Sequence, residues 1–252
     1  MFLAIDIGNS KIKIGSFKNN TLINIQRFDN VQSANNFILS SSAKEIGISS
    51  VVPQKTKELL EEIKKSSIKS FIISRDLKFN LKLNYDSIET LGIDRICSAE
   101  GAYLLFKNGS DFINYNENIY LISIDLGTAL TINVINYPGE FSGGLIIPGA
   151  KMMFTALTRN TAQLPETNLS DYKNFIGKTT TQSIASGVLN SAIGAIERTI
   201  NYIQTELKAE ELRIYITGGN AERILPHLKF KFEHIKGLVL YGIKAIYEKN
   251  VH

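Results

Sequence analysis

The 252-residue chain holds a single cysteine, Cys97, so no intrachain disulfide can form and a reducing compartment is expected. Cys97 stands in Ile96-Cys97-Ser98-Ala99 at the start of an expected helix, where a small thiol reads as a packing group rather than a nucleophile. Histidine is almost as scarce. The three are His227, His234 and His252, and none pairs with another at ligand spacing, which argues against a histidine-based metal centre. No apolar run is long enough to span a bilayer, and no charged segment with an apolar stretch precedes the first strand. A cytoplasmic protein with no membrane partner is therefore expected. The chain also lacks G-x-x-x-x-G-K-[ST] and G-x-G-x-x-G, which removes the main support for a P-loop or Rossmann site.

The composition, 44% hydrophobic and 21% charged, is that of an ordinary globular protein. A chain of this length buries a sufficient core without disulfides or a structural metal. The net charge is +4 and the pI about 9.0. The lysines are scattered rather than clustered, so the charge reads as a lysine-rich surface and not as a nucleic-acid-binding face.

In Phe2-Leu3-Ala4-Ile5-Asp6-Ile7 an apolar run brings a carboxylate to its end. Gly8-Asn9-Ser10 turns the chain, and Lys11-Ile12-Lys13-Ile14 leads an alternating run back, the pattern of a β-hairpin. The same theme returns as Tyr120 to Asp125, then Leu126-Gly127-Thr128, then Ala129 to Val134. A turn alone favours Asn and Gly and needs no Asp two residues ahead. Finding Asp-x-Gly-Asn/Thr twice points to paired phosphate-binding loops. In each, glycine lets the backbone approach an anion, while N–H groups, Asn9 and Ser10 can donate to phosphoryl oxygens. Lys11 and Lys13 add positive charge, and Asp6 can hold Mg²⁺ through water.

The first half reads in the order β-β-β-α-β-α-β, and the second half repeats it from Ile119 onward. The expected helices of the second half are Lys151 to Ala162, Thr180 to Leu207, Ala221 to Leu228 and Leu238 to Glu248. The fold class is α/β, with two ribonuclease-H-like domains at 1–112 and 113–252; the boundary falls where Gly, Ser, Asp and Asn cluster. Two glycine-rich junctions, Gly143 to Gly149 and Thr217-Gly218-Gly219-Asn220, suit either a nucleotide lying on bare backbone or tight helix–sheet packing. Between the halves stands Leu91-Gly92-Ile93-Asp94-Arg95. Asp94 there is either a helix cap or a carboxylate that takes a proton from a substrate hydroxyl, with Arg95 holding an anionic group. Phosphoryl transfer needs positioning, charge neutralisation and one base, and Asp94 can be that base.

Taken as a set, Asp6 to Lys13, Leu91 to Arg95, Asp125 to Ala129, Gly143 to Gly149, Thr161 to Pro165, Ile176 to Thr180 and Thr217 to Gly219 resemble type III pantothenate kinases, in order and over essentially the whole chain. The resemblance implies the actin-like ATPase fold of the acetate and sugar kinase, Hsc70 and actin superfamily, with an ATP cleft between two domains. It implies phosphorylation of pantothenate to 4′-phosphopantothenate, the first step of coenzyme A synthesis. It assigns Asp6, Ile7, Gly8, Asn9, Ser10, Lys11, Ile12, Lys13 and Thr128 to ATP, and Asp94 to the role of base. Pantothenate would be framed by Tyr85, Gly92, Ile93 and Arg95, with Arg95 and Thr180 near its polar groups. Asp125 would help hold a monovalent cation, K⁺ or NH₄⁺, alongside Mg²⁺ with ATP. A homodimer is implied, with pantothenate near the interface and Thr180 reaching the partner's site.

Two departures are visible. No proline follows Tyr85 in Tyr85-Asp86-Ser87-Ile88, and Ser10 stands where the family more often has threonine. Two alternatives stay open at this point: another small-alcohol or sugar kinase of the superfamily, and a non-catalytic transcriptional accessory protein of the same fold.

Overall fold

The computed structural model describes residues 1–109 and 118–251. They group into two units, one of Met1–Tyr115, Pro138–Gly143 and Gly237–His252, the other of Asn116–Tyr137 and Gly144–Lys236. The expected boundary at 112/113 lies outside the described residues.

The first unit opens with three antiparallel strands, β1 (Phe2–Ile7), β2 (Ile12–Lys18) and β3 (Thr21–Phe28). Helix α1 (Val31–Ser40) leads to β4 (Glu45–Ser50), and α2 (Pro53–Ile63) to β5 (Lys69–Ile72), both strands parallel to β1. The sheet order is β3-β2-β1-β4-β5. Helices cover both faces, which is why β1 is an almost unbroken apolar run rather than an alternating one. Leu3, Ile5 and Ile7 pack with Ile38, Leu59 and Ile63 of α1 and α2. Phe2 and Phe17 face the other way and meet Tyr247 and Tyr241 of the C-terminal helix, with ring centroids 4.6 and 5.5 Å apart.

Helix starts follow local chemistry. Asn30 accepts from Ser33 N at 2.8 Å, which sets the start of α1 at Val31. Pro53 is itself the first residue of α2, where its missing N–H costs nothing.

Further along are the two-residue strand β6 (Lys82–Leu83), which has no counterpart in the sequence reading, and α3 (Ile93–Lys107). β6 runs parallel to Glu140 and Phe141. α3 crosses the C-terminal helix at bare backbone. A Cβ added to Gly242 would stand 1.7 Å from the Cys97 carbonyl oxygen, and one on Gly101 would stand 2.3 Å from that of Leu238. Cys97 is fully buried in this crossing, and burial pushes its thiol well above the usual range, as suits a packing residue.

The second unit repeats the plan with β7 (Ile119–Leu126), β8 (Ala129–Asn136), β9 (Glu140–Pro148, of which residues 140–143 fall in the first unit), β10 (Glu211–Thr217) and β11 (Glu233–His234). Their order is β11-β10-β7-β8-β9, the arrangement of the first sheet once β7 is matched to β1. Its helices are α4 (Ala150–Asn160), the 26-residue α5 (Thr180–Thr205) and the short α6 (Ala221–Ile224). Thr179 caps α5 by accepting from Gln182 N. The expected helix over Ala221 to Leu228 stops early because Pro226 cannot continue the ladder, and residues 225–227 form a 3₁₀ turn. Ile122, Ile124, Leu189, Ala192, Ile196 and Ile216 form the core of this unit.

The last helix, α7 (Leu238–Val251), follows the second unit in the chain but packs in the first. No helix among the described residues is long and apolar enough to cross a membrane.

Candidate active site

The first hairpin places Asp6 opposite Lys13 in register, and the Lys13 ammonium lies 3.4 Å from an Asp6 carboxylate oxygen. Asp6 is only 7% exposed, so its charge needs that counter-charge. Gly8 N donates to Lys11 O at 3.1 Å and closes the bend, leaving Asn9 and Ser10 exposed at its tip. Lys11 turns aside and pairs with Asp29 at the surface. On the other side of the bend, Lys55 of α2 donates to the carbonyls of Gly8 at 3.3 Å and Asn9 at 3.0 Å. No spacing in the sequence relates Lys55 to this turn.

Asp94 lies in the first turn of α3, but it is not the cap: Gly92 occupies that position and no side chain caps the helix. The Asp94 carboxylate instead accepts from Arg95 N at 3.0 Å. A Cβ on Gly92 would come within 2.5 Å of this carboxylate and push it from its present position. Arg75, another residue that the sequence did not point to, steadies the approach by donating to Leu91 O at 2.7 Å. Burial, and after it the negative charge of Asp6, hold Asp94 above the usual carboxylate range, against the pull of the Arg95 N–H and charge. The result is a carboxylate with a raised affinity for a proton in the first turn of α3.

Arg95 is 4% exposed. Its guanidinium carbon lies 5.8 Å from the Tyr85 ring centre and 5.6 Å from that of Phe141, and the two rings meet edge to face. Flanking aromatic faces stabilise a cation that burial would otherwise penalise. The strand leading to Tyr85 is pinned by Glu100 of α3, which is fully buried and accepts from Asn80 Nδ2 at 2.8 Å and Leu81 N at 2.9 Å. Burial raises the Glu100 pKa as well. Asn84 N donates to Phe141 O at 3.0 Å, so Tyr85 and Phe141 are held on adjoining strand ends. Ile93 is buried beneath. Asp6, Lys13, Tyr85, Gly92, Ile93, Asp94 and Arg95 thus all belong to the first unit, which adds Lys55, Arg75, Glu100 and Phe141 to the residues found by sequence.

In the second unit Asp125 is the penultimate residue of β7, opposite Thr131 of β8 and Thr217 of β10. The bend after it is gripped by backbone. Gly149 N donates to Thr128 O at 3.1 Å, and Asn220 N to Leu126 O at 3.0 Å. A Cβ on Gly149 would fall 2.3 Å from Thr128 O, and one on Gly218 within 2.5 Å of the Leu126 backbone. These two glycines therefore serve close packing around the second bend, whereas Gly219 faces open space. Thr128 is exposed on the bend. Thr180, the first residue of α5, lines a cavity of about 580 Å³ with Met153, Leu157, Leu164 and Ile184. Nearby in sequence, Phe175 and Ile176 are 68% and 72% exposed.

Among the described residues no group of three or more His, Cys, Asp or Glu side chains could cage a metal ion.

A family model of type III pantothenate kinases matches residues 2–202. A type III pantothenate kinase of Persephonella marina is 34% identical over 262 residues, covering 98% of each chain. One from Sulfurihydrogenibium is 32% identical over 258 residues, covering 94% of this chain and 98% of the relative. Among solved structures, a Campylobacter jejuni protein described as a Baf family transcriptional activator aligns with a TM-score of 0.56 and 20% identity, over 98% of this chain and 96% of that one. An archaeal actin homologue in complex with ADP aligns with a TM-score of 0.51 and 11% identity, over 99% of this chain and 100% of that one. At such identities these two likenesses show the fold, which is the actin-like one of two ribonuclease-H-like sheets.

Proposed function

Because the chain belongs to the type III pantothenate kinase family, we propose that Asp94 is the base that takes the proton from the pantothenate hydroxyl. The reaction is the ATP-dependent phosphorylation of pantothenate to 4′-phosphopantothenate in coenzyme A biosynthesis, with ATP carrying a divalent metal. Family membership also decides against a sugar kinase. The observation that carries the assignment of the base is the position of Asp94 at the uncapped start of α3, where burial first and the charge of Asp6 second raise its proton affinity.

In this reading the hydroxyl oxygen attacks the terminal phosphorus of ATP as its proton passes to Asp94, and the bond to the leaving ADP oxygen breaks. Asp6 through Lys13 line the phosphates, Lys13 and the backbone N–H groups neutralising charge, and Thr128 is assigned to the phosphates as well. Asp6 would hold Mg²⁺ through water; bound with ATP, that ion offsets phosphate charge. Arg95 holds the anionic end of pantothenate, and its tight seat between Tyr85 and Phe141 supports that role, because a guanidinium locked in place loses little freedom on binding. Gly92 and Ile93 complete the frame, and the strand leading to Tyr85 is anchored through Glu100.

Asp125 is assigned to a monovalent cation, K⁺ or NH₄⁺. Replacing K⁺ with Na⁺ in an assay with ATP and pantothenate is expected to lower turnover about a hundredfold, the scale of losing one charge-stabilising contact. Asp125→Asn should be slow in both salts; equal rates of the wild type in K⁺ and Na⁺ would remove the cation from the mechanism.

We place Thr180 near pantothenate in a homodimer, supported by the apolar cavity beside it and by exposed Phe175 and Ile176. Sedimentation equilibrium should give twice the 28.0 kDa chain mass. A monomer at every concentration would rule this out. The compartment proposed is the cytoplasm, in keeping with a chain that has a single, buried cysteine.

A further inference from the structure

We infer that Lys55 is a positioning residue for the nucleotide, holding the first hairpin bend with its N–H groups turned toward the phosphates. One ammonium donates to two consecutive carbonyls, those of Gly8 and Asn9. A trans peptide unit is planar, and its C=O and N–H point in opposite directions. Drawing the Gly8 carbonyl toward α2 therefore turns the N–H of Asn9 away from α2, and drawing the Asn9 carbonyl does the same for Ser10. Two successive N–H groups aimed to one side form a concave anion seat of the kind that binds phosphate.

Gly8 N donates to Lys11 O and closes the turn; that bond engages neither the Gly8 nor the Asn9 carbonyl, and Lys55 holds both. Their carbonyls cannot both turn toward the anion side without losing Lys55. The lysine also sets a positive charge behind the bend, where it adds to the field of Lys13 without occupying the phosphate position. Lys55 is half-buried on the first turn of α2, and that helix is fixed in the core through Leu59 and Ile63, so the donor has a rigid base.

The inference rests on the hairpin being the phosphate site, and the test separates the two. Lys55→Met keeps the aliphatic stem and removes the donors. Its ATP Kd and KM are expected to rise about tenfold, the scale of hydrogen bonds from a charged donor. The KM for pantothenate and the unfolding temperature should stay at their wild-type values. Lys55→Arg keeps paired N–H donors and should hold the ATP Kd within about threefold of wild type. Adenosine has no phosphates to seat, so its affinity, measured by competition, should be the same for K55M and wild type. Unchanged ATP affinity in K55M, or a parallel fall in adenosine affinity, would overturn the inference. Lys13→Met serves as the reference. If K13M weakens ATP and K55M does not, only the role of Lys55 fails; if neither weakens it, the hairpin is not the phosphate site.

Discussion

Asp94→Asn is expected to lose about a thousandfold in kcat, the range that a positioned general base supplies, while ATP binds as before. The substitution keeps the oxygen that accepts from Arg95 N and keeps the volume that Gly92 leaves open, so the loss reports proton transfer rather than shape. The pH dependence follows from the raised pKa of Asp94. A base must be ionised, so kcat/KM of the wild type should fall as pH drops through that raised value. The acid limb then lies above the ordinary Asp range near about 4. Stability has the opposite sign. A carboxyl raised by burial binds its proton more tightly folded than unfolded, so it favours the fold at low pH and loses that contribution as pH rises through the folded value. At neutral pH the ionised Asp94 is a cost to the fold, and D94N should unfold at a temperature no lower than wild type. Near-normal turnover of D94N would end the assignment.

Gly242→Ala should destabilise the first unit by about 3 kcal/mol or more, because overpacking against rigid backbone has no side chain to yield. The added carbon would meet the Cys97 carbonyl oxygen at 1.7 Å and its carbon at 2.5 Å, so α7 and α3 must separate. For a chain of this size that is a fall in Tm of roughly 6–12 °C. Gly194→Ala on α5 is the matched control. Nothing lies within 4 Å of its added carbon, and there the change should be neutral or stabilise the helix by up to about 1 kcal/mol. Because Asp94 and Arg95 ride on α3, G242A should also lower kcat/KM. A G242A protein that melts with the wild type would mean that the helices cross less closely than described.

What could be read from the chain was what is written locally. Asp6 and Asp125 at strand ends, each followed by a glycine bend, were legible because strand alternation and turn chemistry act over a few residues. Their recurrence carried the duplication, which the matching strand orders bear out. Gly92-Ile93-Asp94-Arg95 was legible as a unit, though whether Asp94 capped the helix was not, since that depends on backbone geometry at Gly92. Lys55, Arg75, Glu100 and Phe141 were hidden for a common reason: each acts on a segment far away in sequence. A buried glutamate inside a helix looks like any surface glutamate until the strand that it anchors is in place. The glycine-rich junctions could not be sorted either, because close packing at Gly149 and Gly218 and open space at Gly219 come from the same letters. An apolar stripe on α7 announces burial without saying which sheet it covers.

The placement of α7 sets the order in which the protein can be completed. The first sheet is made before the second unit, yet the helix that covers Phe2, Phe17 and Phe71 is made only after that unit. Until residue 237 is reached, the aromatic face beside α3 has no cover, and α3 has no backbone partner at Gly101. The helix that carries Asp94 and Arg95 therefore takes its final seat only after the second unit has been made, so a chain cut short before α7 holds every residue of α3 and lacks the backbone that α3 packs on.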